Sequence, residues 1–234
     1  MPGLVHGFER RPSRARPETR EETRARVSAA VQAQGRLHLL NQVHGTTVVQ
    51  APFEGLPEAD AAVADAPGLL IGIETADCLP VLLVDPEGRR VAAAHAGWRG
   101  TAAEVVGAAV AALVVRGSRP SDLLAALGPG IGPCCYEVGD ELREAFGEQG
   151  ATFFRPGPRG RPHLDVRAAN LAQLERAGVR PERIHHLYEC TACRPGLYYS
   201  YRRDGAGAGR MISFVGFVSP SGPGAASSHP VRTE

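Results

Sequence analysis

Three short segments place a nitrogen or sulfur ligand beside small residues: Asn41-Gln-Val-His44-Gly45, Thr75-Ala-Asp-Cys78 and His95-Ala-Gly-Trp-Arg-Gly100. Two imidazoles and a thiolate supply three of the four ligands of a tetrahedral zinc ion. The fourth position would then be open to water or substrate, as in catalytic rather than structural zinc. Zinc so held can lower the pKa of bound water to about 7. The intervals, 34 residues from His44 to Cys78 and 17 from Cys78 to His95, do not form a local finger, so the fold must assemble any such site. Glycines beside the ligands allow backbone to approach a bound substrate. Spacing alone leaves a second reading open: three unrelated residues, with Cys78 a buried core thiol.

The elements that must position these residues follow from pattern and capping. Residues 37–50 read as extended, with Thr46, Thr47, Val48 and Val49 favouring a strand. Residues 69–73 and 81–84 are apolar runs, predicted as buried strands joined by a functional turn at 74–80. Residues 91–94 predict another strand, ending in His95. Thr101 with Glu104 predicts a capping box, opening a helix that carries Val105, Val106, Ala109, Ala112 and Leu113 and stops at Gly117. A strand is expected at 123–127, a loop at 128–133 and a short helix at 139–146. Asp165 reads as the N-cap of a helix carrying Leu171 and Leu174 and closed by Gly178. Strands are expected at 184–188, 197–201 and 211–218. Residues 9–26 hold seven arginines and read as a solvated loop leading into a helix. With no repeat and no dividing linker, residues 1–218 are expected to form one α+β catalytic domain, and the Ser-, Pro-, Gly- and Ala-rich residues 219–234 a disordered tail.

The 234 residues carry a formal net charge of +1, which asks for neither nucleic acid nor an anionic membrane. All 26 basic residues are Arg, so Schiff-base, P-loop and general-base lysines are excluded. Phosphate or carboxylate must be held by Arg, backbone N–H groups or metal. No secretory signal and no apolar run of membrane length is visible. The five cysteines, Cys78, Cys134, Cys135, Cys190 and Cys193, are odd in number, and the expected compartment is a reducing cytoplasm.

Longer stretches carry a resemblance. They are Gln42-Val-His44-Gly45, Thr75-Ala-Asp77-Cys78-Leu-Pro80, His95-Ala-Gly-Trp98-Arg99-Gly100 and Gly128-Pro-Gly-Ile-Gly-Pro-Cys-Cys-Tyr136-Glu137-Val138. To these add Asp165 with Asn170, Leu174 and Gly178-Val179, and Cys190-Thr191 through Tyr199-Ser200-Tyr201-Arg202-Arg203-Asp204 to Gly209-Arg210-Met211. Spanning residues 42–211 in order, they resemble the laccase-domain or multicopper polyphenol oxidoreductase family. Its members are also described as purine nucleoside phosphorylases with adenosine deaminase activity. The resemblance implies mixed β-sheets sandwiched between helices in four layers, α/β/β/α. It also implies zinc on His44, Cys78 and His95, and purine nucleosides (adenosine, inosine and methylthioadenosine) with phosphate as substrates. The chain departs from the family pattern near His6-Gly7-Phe8, where Arg-rich sequence replaces a glycine-rich turn, and in doubling one cysteine as Cys134-Cys135.

Other residues keep two readings each. Asp77 beside Cys78 is a general acid or base, or a carboxylate orienting His44 or His95. Trp98 stacks a purine or anchors the core. Arg99, Arg202, Arg203 and Arg210 are candidates for phosphate or ordinary surface charges. Cys190-Thr-Ala-Cys193 has redox-motif spacing without the thioredoxin context, and reads as a strand-end pair of thiols. Cys134 and Cys135 read as core or loop thiols, because a disulfide between neighbours is strained. His185 and His186 lie in one strand, so one should face out. Two histidines with one cysteine also imitate a blue-copper shell, but eight histidines without a His-x-His motif do not make a trinuclear cluster, so oxidase activity would belong to an adventitious copper form. The rivals are a cysteine hydrolase or deamidase built on Cys78 and His95, and a non-enzymatic metal or redox partner protein.

Overall fold

The computed structural model describes residues 1–13, 16–158 and 160–218; the tail expected to be disordered lies outside them. In chain order the first half holds β1 (Leu4–Phe8), α1 (Arg20–Val31), β2 (Arg36–His38), β3 (Val48–Gln50), β4 (Ala61–Ala64), β5 (Leu69–Thr75), β6 (Leu79–Asp85), β7 (Arg90–Ala96), α2 (Trp98–Ala102) and α3 (Val105–Val115). The second half holds β8 (Leu124–Leu127), α4 (Glu141–Ala145), β9 (Phe154–Pro156), β10 (Pro162–Leu164), α5 (Val166–Arg176), β11 (Ile184–His186), α6 (Tyr201–Asp204) and β12 (Met211–Phe217).

Two mixed sheets result. One has four strands in the order β1-β12-β5-β2, the other six in the order β11-β8-β6-β7-β4-β3. Strands with apolar residues on both faces can be buried on both, and β6 does this: Leu79, Val81 and Leu83 face the helices, while Leu82 and Val84 face the other sheet. Ile71, Ile73, Val215 and Phe217 of the four-stranded sheet meet Ala62, Leu82, Val91 and Ala93 of the six-stranded one. Helix α3 packs on the far side of β4 and β7 and against α5, while α1 packs on β12 and β2. The layers are therefore helix, sheet, sheet, helix, as the family resemblance implies. No helix among the described residues is long and apolar enough to cross a membrane.

Several local expectations change. Residues 37–50 are two strands in different sheets, β2 and β3, separated by the loop that carries His44. The turn after β5 crosses from one sheet to the other before β6 begins. The predicted capping box at Thr101 and Glu104 does not form. Glu104 has a left-handed backbone, φ 68°, which ends α2 and starts α3. Thr101 lies inside α2, where its N–H already donates to Gly97 O at 2.8 Å. The same Thr-x-x-Glu pattern does cap a helix at Thr19 and Glu22, opening α1. Two arginines within α1 are less solvated than charge density suggests: Arg24 holds the buried Glu74 carboxylate at 2.6 and 2.9 Å, and Arg26 pairs with Glu18. Residues 197–201 are not a strand. Tyr198 and Tyr199 are buried with Met211, and Ser200 accepts from Arg203 N as the N-cap of α6. Asp165 caps α5 as expected, and Gly117 and Gly178 have the positive φ of helix stops.

The link from fold to site is polar and buried. Asn170 on α5 donates to Thr101 Oγ1 at 3.0 Å, and Gln173 donates to Thr101 O at 2.5 Å. These bonds dock α2, which starts at Trp98 and Arg99, against α5. Replacing Asn170 with Ala removes its bond to Thr101 Oγ1 and the one its amide donates to Val166 O, and leaves a buried hydroxyl without its donor. The expected cost is about 1–3 kcal/mol, read as a lower urea midpoint at unchanged slope. An unchanged midpoint would show that this junction contributes nothing.

Candidate metal centre and pocket

Asp60, fully buried at the edge of β4, organises the centre. Its carboxylate accepts the backbone N–H groups of Val43, His44 and Gly45 at 3.1, 2.9 and 2.6 Å. Its Oδ1 also lies 2.8 Å from His95 Nδ1. One carboxylate thus folds the His44 loop, where His44 has φ 64°, and orients the His95 ring. With Nδ1 engaged, the other nitrogen of His95 is available to the site. Gln42 fixes the loop from the opposite side, exchanging two 2.8 Å hydrogen bonds with the Glu74 backbone at the end of β5.

Cys78 arrives from the inter-sheet crossover. Its Sγ lies 3.9 Å from His44 Nε2, and the two imidazoles stand edge to face with centroids 4.8 Å apart. The ligand atoms of His44, Cys78 and His95 lie within 4.8 Å of one another. Gly97 makes room for them: a Cβ there would come within 2.9 Å of His44 Cδ2 and 3.0 Å of Cys78 Sγ. Burial alone would push the Cys78 thiol up. The His95 charge and hydrogen bonds from both histidines outweigh it and bring the thiol down to about 6. Burial likewise opposes charge on His95, but the Cys78 thiolate and Asp60 raise it to about 9. Asp60 itself is held low, burial being outweighed by His95 and the backbone donors. With no metal bound, each of Cys78 and His95 thus favours the charged form of the other.

These groups line a cavity of about 380 Å³, within the range of small-ligand sites. Trp98 and Arg99 form one wall, with the Arg99 guanidinium 4.4 Å from the Trp98 ring centre. Trp98 also packs on the helix-side core, as the anchor reading expects, while lining the cavity. Arg202 lies 5.1 Å over the Tyr136 ring and donates to Glu137 O. Arg210 lines the cavity together with Arg20. Burial, then the nearby Arg20 charge, lowers the Arg210 pKa. Arg203 does not line the cavity, because its guanidinium donates to the carbonyls of Thr191, Ala192 and Tyr198 and pairs with Asp204. Asp77 lines the cavity, but its oxygens accept from Thr191 Oγ1 at 2.5 Å and Arg202 N at 2.6 Å. It orients neither histidine; Asp60 does that for His95.

Three contributors escaped the sequence reading. Asp60 left a signal, as a lone carboxylate opening the otherwise apolar run Ala61–Ala64. Arg20 left none, since it sits in the arginine-rich segment. Tyr136, pushed up to about 12 by burial and the Cys78 thiolate, lies in the motif at 128–138, where nothing local marks it as facing the site.

Known proteins place this architecture. The chain is 42% identical over 208 residues to "Purine nucleoside phosphorylase" of Deinococcus radiodurans, covering 88% of this chain and 80% of that one. It is 39% identical over 211 residues to "Purine nucleoside phosphorylase YfiH" of Escherichia coli, covering 86% and 82%. It is 39% identical over 170 residues to "Adenosine deaminase RL5" of an unknown prokaryotic organism, covering 71% and 64%. The crystal structure of YlmD from Geobacillus stearothermophilus matches with a TM-score of 0.83 at 30% identity, over 93% of each chain. The model of the family described as "Multi-copper polyphenol oxidoreductase laccase" matches residues 12–218, and the chain belongs to that family.

Proposed function

We propose that this chain is a zinc-dependent purine nucleoside phosphorylase with adenosine deaminase activity, its zinc held by His44, Cys78 and His95. The observation that carries the reading is the convergence of these three ligand atoms within 4.8 Å on the wall of an arginine-lined cavity. The donor set suits zinc, with a buried carboxylate behind His95 and a glycine face where a side chain would intrude. When bound, zinc supplies a Lewis acid with one open position for substrate or water. The names of the relatives support nucleoside chemistry of both kinds.

The chain's own residues supply binding and orientation. Arg20 and Arg210 are two cations facing one cavity, a setting for the phosphate nucleophile. Arg99 and Arg202 are held over Trp98 and Tyr136 and give the walls a positive edge. The Trp98 ring offers a face on which a purine can stack. Tyr136 stays protonated through neutral pH and can donate a hydrogen bond to the base. In phosphorolysis a phosphate oxygen bonds to ribose C1′ as the bond to the purine nitrogen breaks, and the site must hold both partners in line. In deamination water replaces the amino group of adenosine, and the pose of the base selects between the two reactions. Asp77 serves as a positioning residue, tying the Thr191 loop and the start of α6 to the crossover. The chain's free thiols suit a reducing cytoplasm. The His44–Cys78–His95 group holds two histidines, which fits one adventitious copper rather than a multicopper oxidase.

A second reading is favoured by the Cys78–His95 pair with Asp60 behind it, the arrangement of a cysteine hydrolase. Its nucleophile would be Cys78 and its base His95. His44 separates the two readings.

Adenosine and inosine are expected to yield free base and ribose 1-phosphate only with phosphate present, as followed by chromatography. Base release at equal rate in phosphate-free buffer would make the enzyme a hydrolase. Arg20→Ala or Arg210→Ala is expected to raise KM for phosphate about tenfold, the loss of one charge-assisted hydrogen bond. An unchanged KM in both would remove them from the phosphate site.

His44→Ala, Cys78→Ala and His95→Ala should each lose the active-site zinc and most activity, because three ligands act as a unit. Asp60→Asn is expected to weaken zinc binding by about 10–100-fold. A His44→Ala protein with wild-type turnover would favour the hydrolase.

Thiol alkylation checks the electrostatics. With Cys78 depressed to about 6, its thiolate is populated above that pH and lost below it. In chelator-stripped protein its alkylation rate should therefore rise through pH 6 and level off near neutrality, whereas an ordinary thiol keeps gaining rate toward about pH 8.5. Zinc should suppress the reaction. Rapid alkylation of Cys78 in zinc-replete protein would count against its role as a ligand.

A further inference from the structure

The four remaining cysteines, read from sequence as a strand-end pair of thiols and two core or loop thiols, come together. Cys134 and Cys135 follow the loop after β8, and Cys190 and Cys193 follow β11. The two segments are stitched by a parallel bridge between Gly130 and Cys190, with Thr191 N donating to Gly130 O at 3.1 Å. Cys193 Sγ lies 3.5 Å from Cys134 Sγ and 3.3 Å from Cys135 Sγ, and all four sulfurs fall within 4.8 Å of one another. Four thiolates on one zinc ion, each about 2.3 Å from it, stand about 3.8 Å apart. A disulfide needs about 2.0 Å and one chosen pair. Here Cys193 is nearly equidistant from two neighbouring cysteines, which selects no pair.

The surroundings suit an anionic cluster. Gly132 N donates to Cys190 Sγ at 3.2 Å. A Cβ on Gly132 would press to 3.3 Å from both Cys134 Sγ and Cys190 Cβ, so the glycine opens the cradle. Arg167, 92% buried by its 8% exposure, lines the same cleft as Cys134 and Cys190, and its Nε has no hydrogen-bond partner. A divalent ion with four thiolates carries two net negative charges, and a buried guanidinium beside it offsets one. Cys134 and Cys193 are exposed, so the ion can enter from solvent.

We propose that Cys134, Cys135, Cys190 and Cys193 form a second metal site, a closed tetrathiolate that binds zinc as a structural ion. It differs from the His44–Cys78–His95 centre in having no open position. It braces the cavity: Thr191, inside the Cys190–Cys193 knuckle, holds Asp77, and Tyr136 follows Cys135 directly.

The test is metal and thiol content of the full chain purified without chelator. Two zinc ions per chain are expected, falling to one in Cys193→Ser and to one in His44→Ala. Cobalt replacing zinc in His44→Ala should give intense sulfur-to-metal charge-transfer absorption, because only the tetrathiolate remains. This readout does not need the cysteine variant to fold. Denatured, metal-stripped protein should titrate all five thiols. A His44→Ala protein without metal, or three titratable thiols rather than five, which would mean a disulfide, would overturn the proposal. If His44→Ala instead keeps every zinc that wild type holds and Cys193→Ser loses it, the second site stands and the catalytic zinc reading fails.

Discussion

A single buried carboxylate carries the centre. Desolvating Asp60 costs several kcal/mol, and the structure offsets this with three backbone N–H groups and one imidazole. The three donors are consecutive because the chain turns through a left-handed residue at His44. That strained conformation and the orientation of His95 are two consequences of one charge. Without it, the His44 loop would have no anchor and His95 no fixed tautomer.

The sandwich brings the remaining parts to the same end. Register pairs Leu79 with Ala96, Met211 with Thr75 and Val81 with Leu127, so the starts of β6 and β12 lie beside the ends of β7, β5 and β8. The crossover between the sheets, with Asp77 and Cys78, lies at this end. Loop 128–133 is tied to it by the N–H of Ile131 donating to Asp77 O at 2.8 Å. The central strands β5, β6 and β7 are buried on both faces, so the polar groups of the centre sit where these strands stop. Function at strand ends is thus a consequence of how completely the strands are covered.

Charge then separates within a small space. In the metal-free centre the neighbours favour charge on both Cys78 and His95, while arginines from four parts of the chain, Arg20, Arg99, Arg202 and Arg210, line the cavity. The acids nearby are engaged elsewhere: Glu74 with Arg24, and Asp77 with Thr191 and Arg202 N. A chain of formal net charge +1 therefore presents a pocket lined by four arginines.

The sequence by itself determined most of the central strands, the helices α3 and α5 and, through the family resemblance, the layer order; it did not show β1, β4, β9, β10 or α6, and it took residues 197–201 for a strand. Apolar runs, the Asp165 cap and the glycine stops are local signals, and the long motifs of 42–211 carried the family resemblance. It also named Trp98, Arg99, Arg202 and Arg210, which do line one cavity. It mistook Glu104 for part of a capping box, because Thr-x-x-Glu occurs both there and at Thr19, and only the backbone at Glu104 distinguishes them. Which carboxylate serves His95, Asp60 or Asp77, was decided by tertiary structure. Asp60 lies 35 residues from His95 along the chain and Asp77 only 18, yet it is Asp60 that reaches the ring, and no local pattern encodes that choice. Likewise Arg203 resembles Arg202 in sequence but faces carbonyls, because neighbours on one turn of helix point in different directions. The gathering of four cysteines from two loops 55 residues apart arises only when β8 and β11 pair in parallel, since hydrogen bonding between distant strands sets positions that spacing along the chain cannot.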